Sequence, residues 1–428
     1  MKLLLHPNLR SRFLFIFLVL IVFSLSQKAI ASEPQVFLGS DRIFEEPYQE
    51  LLKGKRVGLI TNHTAINRNL VSTINQFKQK QSELGFTLKA LFAPEHGLFG
   101  EGYAGQKMAS FETEDGIPVY SLHGATRRPT KKMLSEIDLL VFDIQDLGSR
   151  SYTFACTLFY AMEEAAKENV QVVVLDRPNP MGGLVVDGPM LEKEFRSFVG
   201  YINVPYCHGM TIGELATFFN EEYKVGCDLK VIPMKGWKRS MSFSDTGLAW
   251  IPTSPNIPEA ESCYFYPTTG FMGEISFVSI GIGYTLPFKV IGAPWIKGEK
   301  LAALLNQAKL PGCKFVPIRF QPFSGLFSKA GCQGVLIIVQ EKAKYLPVTT
   351  QYLILATLKR HYPKECAKAL KASEKRQDFF CKITGTKKIY QLLLKQKPTL
   401  QEFRAVHKKE RAEFLKLRGK YLLPDYPH

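Results

Sequence analysis

The chain of 428 residues lacks the short motifs that mark the commonest nucleotide-binding and hydrolytic sites. It has no Walker A sequence, no G-x-S-x-G elbow and no H-E-x-x-H motif, and its first strand–helix junction reads TNHTAI (61–66) instead of G-x-G-x-x-G. These absences argue against a dinucleotide site and against a serine or zinc hydrolase of a familiar kind. We therefore expect no cofactor and no bound metal.

Cysteine is sparse and shows no C-x-x-C or zinc-ligand spacing. Most of the eight cysteines stand among apolar residues, so buried free thiols are expected. Export would permit disulfides, and two pairings then remain open, Cys313 with Cys332 and Cys366 with Cys381.

Long apolar runs are confined to the first 31 residues. A basic segment with Lys2, Arg10 and Arg12 precedes the apolar stretch 13–26, and an A-x-A sequence ends at Ala31. This pattern predicts a secretory signal peptide over residues 1–31, with an uncleaved anchor as the alternative. No later run approaches about 18 residues, so we expect export to the periplasm or the medium without stable membrane insertion.

Acidic residues are few, since 39 Asp and Glu face 55 Lys and Arg and the formal charge is +16. An exported basic protein can meet acidic wall polymer or an anionic membrane surface, although the charge can equally serve solubility alone. No basic motif interleaved with aromatic residues is present, so no nucleic-acid partner is expected.

Apolar strands alternate with helical patterns through the first half of the chain. The segments 56–62, 88–93, 138–144 and 170–175 are nearly continuous apolar runs, which is typical of parallel strands buried on both faces. This indicates an α/β fold with a Rossmann-like, mostly parallel sheet domain over residues 32–287. A smaller α/β domain should follow over residues 288–428 and end in one helix from Leu400 to about Arg418.

Polar side chains follow each predicted strand at its carboxyl end. Because these ends share one edge of a parallel sheet, where ligands bind, we expect one common site. Its members are Asn62, His63, Glu95, His96, His123, Asp143, Gln145, Asp146, Asp176, Arg177 and Asn179.

Glu95 is the leading candidate for an acid or base, because it enters a glycine-punctuated loop directly after a core strand. A glycosidase needs a second carboxyl group about 5–9 Å away, and neighbouring strand ends can supply it. Asp143, Asp146, Asp176 and Glu101 are the candidates. A metal site built from His63, His96, His123, His208 and the carboxylates remains an alternative without local ligand spacing.

Several motifs together resemble the exo-β-N-acetylmuramidase family of the NamZ type. They are GKRVGLITNHT (54–64), FAPEHGLFG (92–100), DLLVFDIQDLGSRSYTF (138–154), VVVLDRPNPMGG (172–183), HGMTIGELA (208–216), SPNIP (254–258) and PFKVIGAPWI (287–296). The resemblance implies release of N-acetylmuramic acid from the non-reducing end of peptidoglycan fragments, so muramyl saccharides are the expected partners.

The same resemblance maps several residues onto the family's cleft motifs, and apart from Glu95 their individual roles are our assignment. Glu95 takes the place of the presumed catalytic glutamate, with Asp143 and Asp146 as further catalytic candidates. The expected substrate-binding residues are Asn62, His63, His96, Gln145, Arg150, Arg177, Asn179, His208, Asn256 and Glu274. Arg150 or Arg177 can hold the lactyl carboxylate of muramic acid, since a guanidinium fork suits a carboxylate.

One segment departs from the family pattern. Where the family has EGTNVSEGRGT, this chain reads EISFVSIGIGYT (274–285), which keeps Glu274 but has Phe277, Ile280 and Ile282 at three polar positions. This departure leaves two alternatives open: a muropeptide-binding protein that has lost catalysis, or a glycosidase with shifted sugar specificity.

Overall fold

A computed structural model describes residues 35–427, and a seven-stranded sheet organises the first part of that range. The strand order is β3-β4-β2-β1-β5-β6-β7, and every neighbouring pair is parallel except β3 with β4. The strands are β1 (Arg56–Thr61), β2 (Thr87–Ala93), β3 (Phe111–Glu112), β4 (Pro118–Ser121), β5 (Leu139–Asp143), β6 (Gln171–Leu175) and β7 (Leu229–Ile232).

This order is the doubly wound one, because the chain builds outward from β1 in one direction and then returns to add β5 on its other side. The central strands are buried along nearly their whole length, as their continuous apolar sequences predict. The expectation of a Rossmann-like, mostly parallel sheet is confirmed.

The helices of the first part are α1 (Gly39–Arg42), α2 (Thr73–Leu84), α3 (Lys131–Leu134), α4 (Thr153–Glu168), α5 (Ile212–Glu222) and α6 (Ser262–Glu274). Helix α5 begins where its sequence predicts, because Thr211 and Glu214 form a reciprocal capping box. Helix α6 was not predicted, since Pro267 and two glycines within it argue for irregular structure.

A smaller antiparallel sheet with the order β8-β10-β9 forms the second part. Its strands are β8 (Val290–Ala293), β9 (Cys313–Phe320) and β10 (Cys332–Val339). The helices of this part are α7 (Gly298–Gln307), α8 (Pro347–His361), α9 (Pro363–Ala372), α10 (Gln377–Thr384), α11 (Lys387–Leu394), α12 (Leu400–Ala405) and α13 (Lys408–Arg418). The smaller α/β domain is thus confirmed. Its predicted start at residue 288 stays a prediction, as the chain from Val36 onward forms one compact unit.

The single final helix predicted from Leu400 to Arg418 is wrong. The chain breaks between α12 and α13, where His407 adopts a left-handed backbone conformation with φ of 54°. The buried His407 ring contacts Lys388 and Glu192, and these tertiary contacts accompany the break in the helical pattern.

All eight thiols are buried and unpaired. In the antiparallel register of β9 and β10, Cys313 lies opposite Val339 and Cys332 lies opposite Phe320, at the two ends of the ladder. Seven ladder positions separate the two cysteines, or roughly 23 Å, whereas a disulfide needs Cα atoms within about 7 Å. The Cys313–Cys332 alternative is therefore excluded in this fold.

The predicted signal peptide lies outside the described residues. Within residues 35–427, no helix combines the length and apolar character that a membrane crossing requires.

Candidate active site

A cavity of about 570 Å³ opens at the carboxyl edge of the large sheet. The loops after β2 and β4, the first turn of α4 and the segment 254–257 line one side of it. Glu274 at the end of α6, Phe288 and residues of α10 line the other. Both parts of the fold thus contribute side chains to one cavity.

Glu95 is fixed in this cavity by the loop that follows β2. The backbone turns sharply after Glu95, with left-handed conformations at His96 (φ 72°) and Gly97 (φ 81°). His96 is in contact with the carbonyl of Gly102 through Nδ1 at 2.7 Å, which closes the loop on itself. The loop then returns so that the N–H of Gly105 donates to Glu95 Oε1 at 2.7 Å.

The second oxygen of Glu95 accepts a hydrogen bond from Thr153 Oγ1 at 2.6 Å. Thr153 is the first residue of α4, so the carboxylate also lies beside a helix N-terminus. Burial raises the pKa of Glu95, but the bonds from Thr153 and Gly105 and the nearby histidines His123 and His96 outweigh it. The net pKa is below the ordinary value of 4.5, so Glu95 is ionised in the free protein.

His123 is the nearest titratable neighbour of Glu95. Its Nε2 lies 3.7 Å from Glu95 Oε1, and its Nδ1 has no partner among the described residues. Burial is the main cause that lowers the pKa of His123 below 6.5, and the charge of Arg127 lowers it further. His123 is therefore mostly neutral at pH 7 and can donate or accept a proton in a hydrogen bond.

Glu274 is the other carboxyl group among the described residues that line the cavity. It forms an ion pair with Arg376. Burial raises the pKa of Glu274, and the charge of Arg376 offsets this only in part. The two carboxyl groups of the cavity thus have pKa values shifted in opposite directions, which is the pattern that separates acid and base roles in glycosidases.

Asp143, a predicted catalytic residue, is fully buried and does not line the cavity. Both of its oxygens bind the Arg177 guanidinium, at 2.5 and 2.9 Å, and Thr73 also donates to it. The pair ties β5 to the loop after β6 and leaves neither side chain free for substrate. Asp143 and Arg177 therefore act as scaffold below the site.

Asp146 is likewise buried outside the cavity lining and accepts a hydrogen bond from the N–H of Gly148 at 2.9 Å. Burial raises its pKa to about 6. Asp176 is also fully buried and binds Thr211 and Tyr426, while Glu101 is exposed and outside the lining. Among the described residues, Glu274 is the second carboxyl group of the cavity, a position that sequence reasoning gave to substrate binding.

Arg150 is buried and donates to four backbone carbonyls, those of Pro189, Val204, Ile383 and Thr384. The last two belong to α10, whose residues line the cavity, so Arg150 positions that wall instead of contacting its interior. The geometry does not support the expectation that Arg150 or Arg177 holds a lactyl carboxylate.

The remaining predicted binding residues divide into two groups. His96, Asn256 and Glu274 line the cavity. The others, which hold loops in place through backbone contacts, lie outside the lining: Asn62, His63, Gln145, Asn179 and His208.

His63 illustrates how such a residue serves the site. Its Nε2 contacts the carbonyl of Pro252 at 2.6 Å. Its ring lies so close to Gly100 that a Cβ there would come within 2.0 Å of it, and Gly100 also has a positive φ of 79°. His63 and Gly100 therefore fix the path of the loop that carries Glu95.

Sequence reasoning missed several cavity residues, including Thr153, Arg127, Phe198 and Arg376. Thr153 had a usable signal, because it begins a helix directly after a predicted strand-end cluster. Arg376 had none, since only the packing of the second part brings it to the cavity.

The altered segment after Glu274 lies mostly in the core. Phe277 and Ile280 are 1% and 7% exposed and belong to the main hydrophobic cluster, and Ile282 packs against the same cluster. None of the three lines the cavity. The departure from the family pattern therefore places no apolar side chain on the cavity surface at these positions.

Comparison with known proteins gives concordant matches. Residues 57–261 match the family model "Exo-beta-N-acetylmuramidase NamZ, N-terminal", and residues 264–423 match its C-terminal counterpart. The chain is 43% identical over 341 residues to the peptidoglycan beta-N-acetylmuramidase NamZ of Bacillus subtilis (strain 168), which covers 79% of this chain and 81% of that protein.

Two crystal structures from Bacteroides fragilis NCTC 9343, both of DUF1343 family proteins, share the fold. One has a TM-score of 0.84 and 38% identity, and covers 91% of this chain and 99% of its own. The other has a TM-score of 0.71 and 28% identity, with 92% and 99% covered.

The scaffold role of Asp143 leads to a stability prediction. Asp143→Asn should lower the free energy of unfolding by about 3–5 kcal/mol, because it leaves the buried Arg177 guanidinium without its counter-charge. Urea unfolding measures this. The matched control Glu83→Gln, which breaks an exposed pair with Lys80, should cost less than about 1 kcal/mol. An Asp143→Asn protein of unchanged stability would contradict the scaffold role.

Proposed function

Because this chain belongs to the exo-beta-N-acetylmuramidase NamZ family, a family of glycosidases, we propose that it hydrolyses muramyl saccharides. In this proposal it is an exported enzyme that releases N-acetylmuramic acid from the non-reducing end of peptidoglycan fragments. Glu95 acts as general acid/base. Export is supported by the signal-peptide pattern of residues 1–31.

The observation that carries the proposal is the environment of Glu95. Its carboxylate lies in a cavity large enough for sugar rings and is held by two hydrogen bonds, from Gly105 and Thr153. Aromatic rings of Tyr152, Tyr266 and Phe288 line the same cavity, and such rings offer flat surfaces to the apolar faces of a pyranose. The site thus combines a positioned carboxylate with surfaces suited to a saccharide.

Glycosidic bond cleavage needs one carboxyl group to protonate the leaving oxygen and another to act as base or nucleophile. Glu95 rests as the carboxylate, because its pKa is lowered, and is thus ready for the base half of the cycle. Glu274 retains its proton to higher pH than an ordinary glutamate, because burial raises its pKa, and in its protonated form it can supply the acid half. Its ion pair with Arg376 belongs to the ionised form. Neutral His123, 3.7 Å from Glu95, can share the proton that Glu95 takes up.

A catalytically inactive muropeptide-binding protein is the alternative function, and a related glycosidase with shifted sugar specificity is a further one. Both are favoured by the segment 274–285, which has three apolar residues where the family is polar. Since these residues pack in the core and Glu274 remains in the cavity, the cavity keeps both Glu95 and Glu274. We therefore place hydrolysis first.

Glu95→Gln should reduce release of nitrophenol from 4-nitrophenyl β-N-acetylmuramide by about 100- to 10,000-fold, because the amide cannot transfer a proton. The substitution is isosteric, so thermal unfolding should stay near that of the parent protein. Glu101→Gln is the control: it removes an exposed carboxylate from the same loop and should leave turnover unchanged within about twofold. Full activity of Glu95→Gln would refute the assignment, and binding without turnover in the parent protein would favour the binding function.

The opposed pKa shifts predict a bell-shaped dependence of kcat/KM on pH. On the acid side, activity should fall as Glu95 takes up a proton. The midpoint of this acid limb should lie below pH 4.5, because the pKa of Glu95 is lowered. On the alkaline side, activity should fall as Glu274 loses its proton. The midpoint of this alkaline limb should lie above pH 4.5, because the pKa of Glu274 is raised. In Glu274→Gln the rate should drop and the alkaline limb should disappear, while the acid limb stays. An unchanged profile at parental rate would remove Glu274 from the chemistry.

A further inference from the structure

Within residues 35–427, three cationic side chains line the cavity, and two of them already have a carboxylate partner. Arg376 pairs with Glu274, and Lys382 pairs with Asp378 at 2.6 Å. Arg127 has neither an acidic partner within 4 Å nor a side-chain hydrogen bond among the described residues. Its neighbour Arg128, by contrast, binds both Glu163 and Glu164.

Arg127 is exposed to solvent, and its guanidinium rests on an aromatic ring. Its guanidinium carbon lies over the ring of Phe198, 4.3 Å from the centroid. Phe198 is 6% exposed and is therefore a fixed platform. An arginine that rests on a ring through its face keeps its in-plane N–H donors for another partner. The Arg127 guanidinium thus rests on Phe198, and none of its N–H groups has a hydrogen-bond acceptor among the described residues.

The position of this guanidinium relative to Glu95 follows from a continuous row of contacts. Phe198 also contacts the His123 ring, at 5.6 Å between centroids, and His123 lies 3.7 Å from Glu95. All four residues line the cavity. A sugar whose C1 lies at Glu95 therefore has Arg127 on the same wall, beyond His123 and Phe198.

We propose that Arg127, held on Phe198, binds the 3-O-lactyl carboxylate of the muramyl residue and so distinguishes muramic acid from glucosamine. This inference rests on the proposed function, since it names the group by which that site selects its sugar. The lactyl group is a substituent of the same pyranose ring that contains the scissile C1, which suits two protein groups on one wall. A guanidinium fork binds a carboxylate through two parallel N–H bonds, which gives orientation as well as attraction.

The experiment compares three chromogenic β-glycosides: the N-acetylmuramide with a free lactyl carboxylate, the same compound with the lactyl group as a neutral amide, and the N-acetylglucosaminide. The full mature protein should prefer the acid over the other two. Arg127→Met should lower kcat/KM for the acid by about 10- to 100-fold, the usual effect of losing a hydrogen-bonded charge partner, and leave the amide within about twofold. Arg127→Lys should fall between, because it keeps the charge and loses the fork.

Lys132→Met is the matched control, since Lys132 is an exposed cation close in sequence and outside the cavity lining. It should leave all three rates unchanged. Equal losses on acid and amide in Arg127→Met, or no preference for the acid in the parent protein, would overturn the inference while leaving hydrolysis intact.

If no glycoside is cleaved, the proposed hydrolysis fails. Calorimetric binding of N-acetylmuramic acid and its lactyl amide to the same variants then decides the role of Arg127. Weaker binding of the acid alone in Arg127→Met supports it, and equal binding of both ligands overturns it.

Discussion

The site depends on the two hydrogen bonds that hold the Glu95 carboxylate between separate segments of the chain. One donor, the N–H of Gly105, belongs to the loop after β2, and the other, the hydroxyl of Thr153, belongs to the first turn of α4. A buried carboxylate without donors would shift its pKa upward and rest in its neutral form. With two donors and neighbouring histidines it rests ionised, so these bonds set both the position and the charge of the group.

Buried polar contacts outside the cavity lining tie together the segments around the site. The buried Asp143–Arg177 pair connects β5 with the loop after β6, and Arg150 connects α10 to the main domain through backbone carbonyls. Such groups resemble active-site residues in sequence, because both need charged side chains at strand ends. They differ in whether their hydrogen-bonding capacity is already satisfied within the protein.

The sequence therefore predicts the architecture more fully than it predicts which charged residues line the cavity and which are bound within the protein. Continuous apolar strands and capping boxes are local signals, so the parallel sheet and the start of α5 could be read directly from the residues. The loop of Glu95 was also readable, because a glycine-rich turn follows a core strand. Periodicity does not reveal the tertiary contacts of His407, so α12 and α13 were predicted as one helix. It also did not reveal α6, which contains a proline.

The arginines show why the rest could not be predicted. Arg127, Arg150 and Arg177 all stand near strand-end motifs, and each offers the same planar fork. The Arg177 guanidinium binds a carboxylate and that of Arg150 binds backbone carbonyls. Arg127 rests on an aromatic face and forms no side-chain hydrogen bond among the described residues. Since an arginine recognises a ligand only with donors that the fold leaves unused, the partners set by tertiary structure decide which one can bind. By this criterion Arg127 is, among the described residues that line the cavity, the arginine whose donors remain available to a ligand.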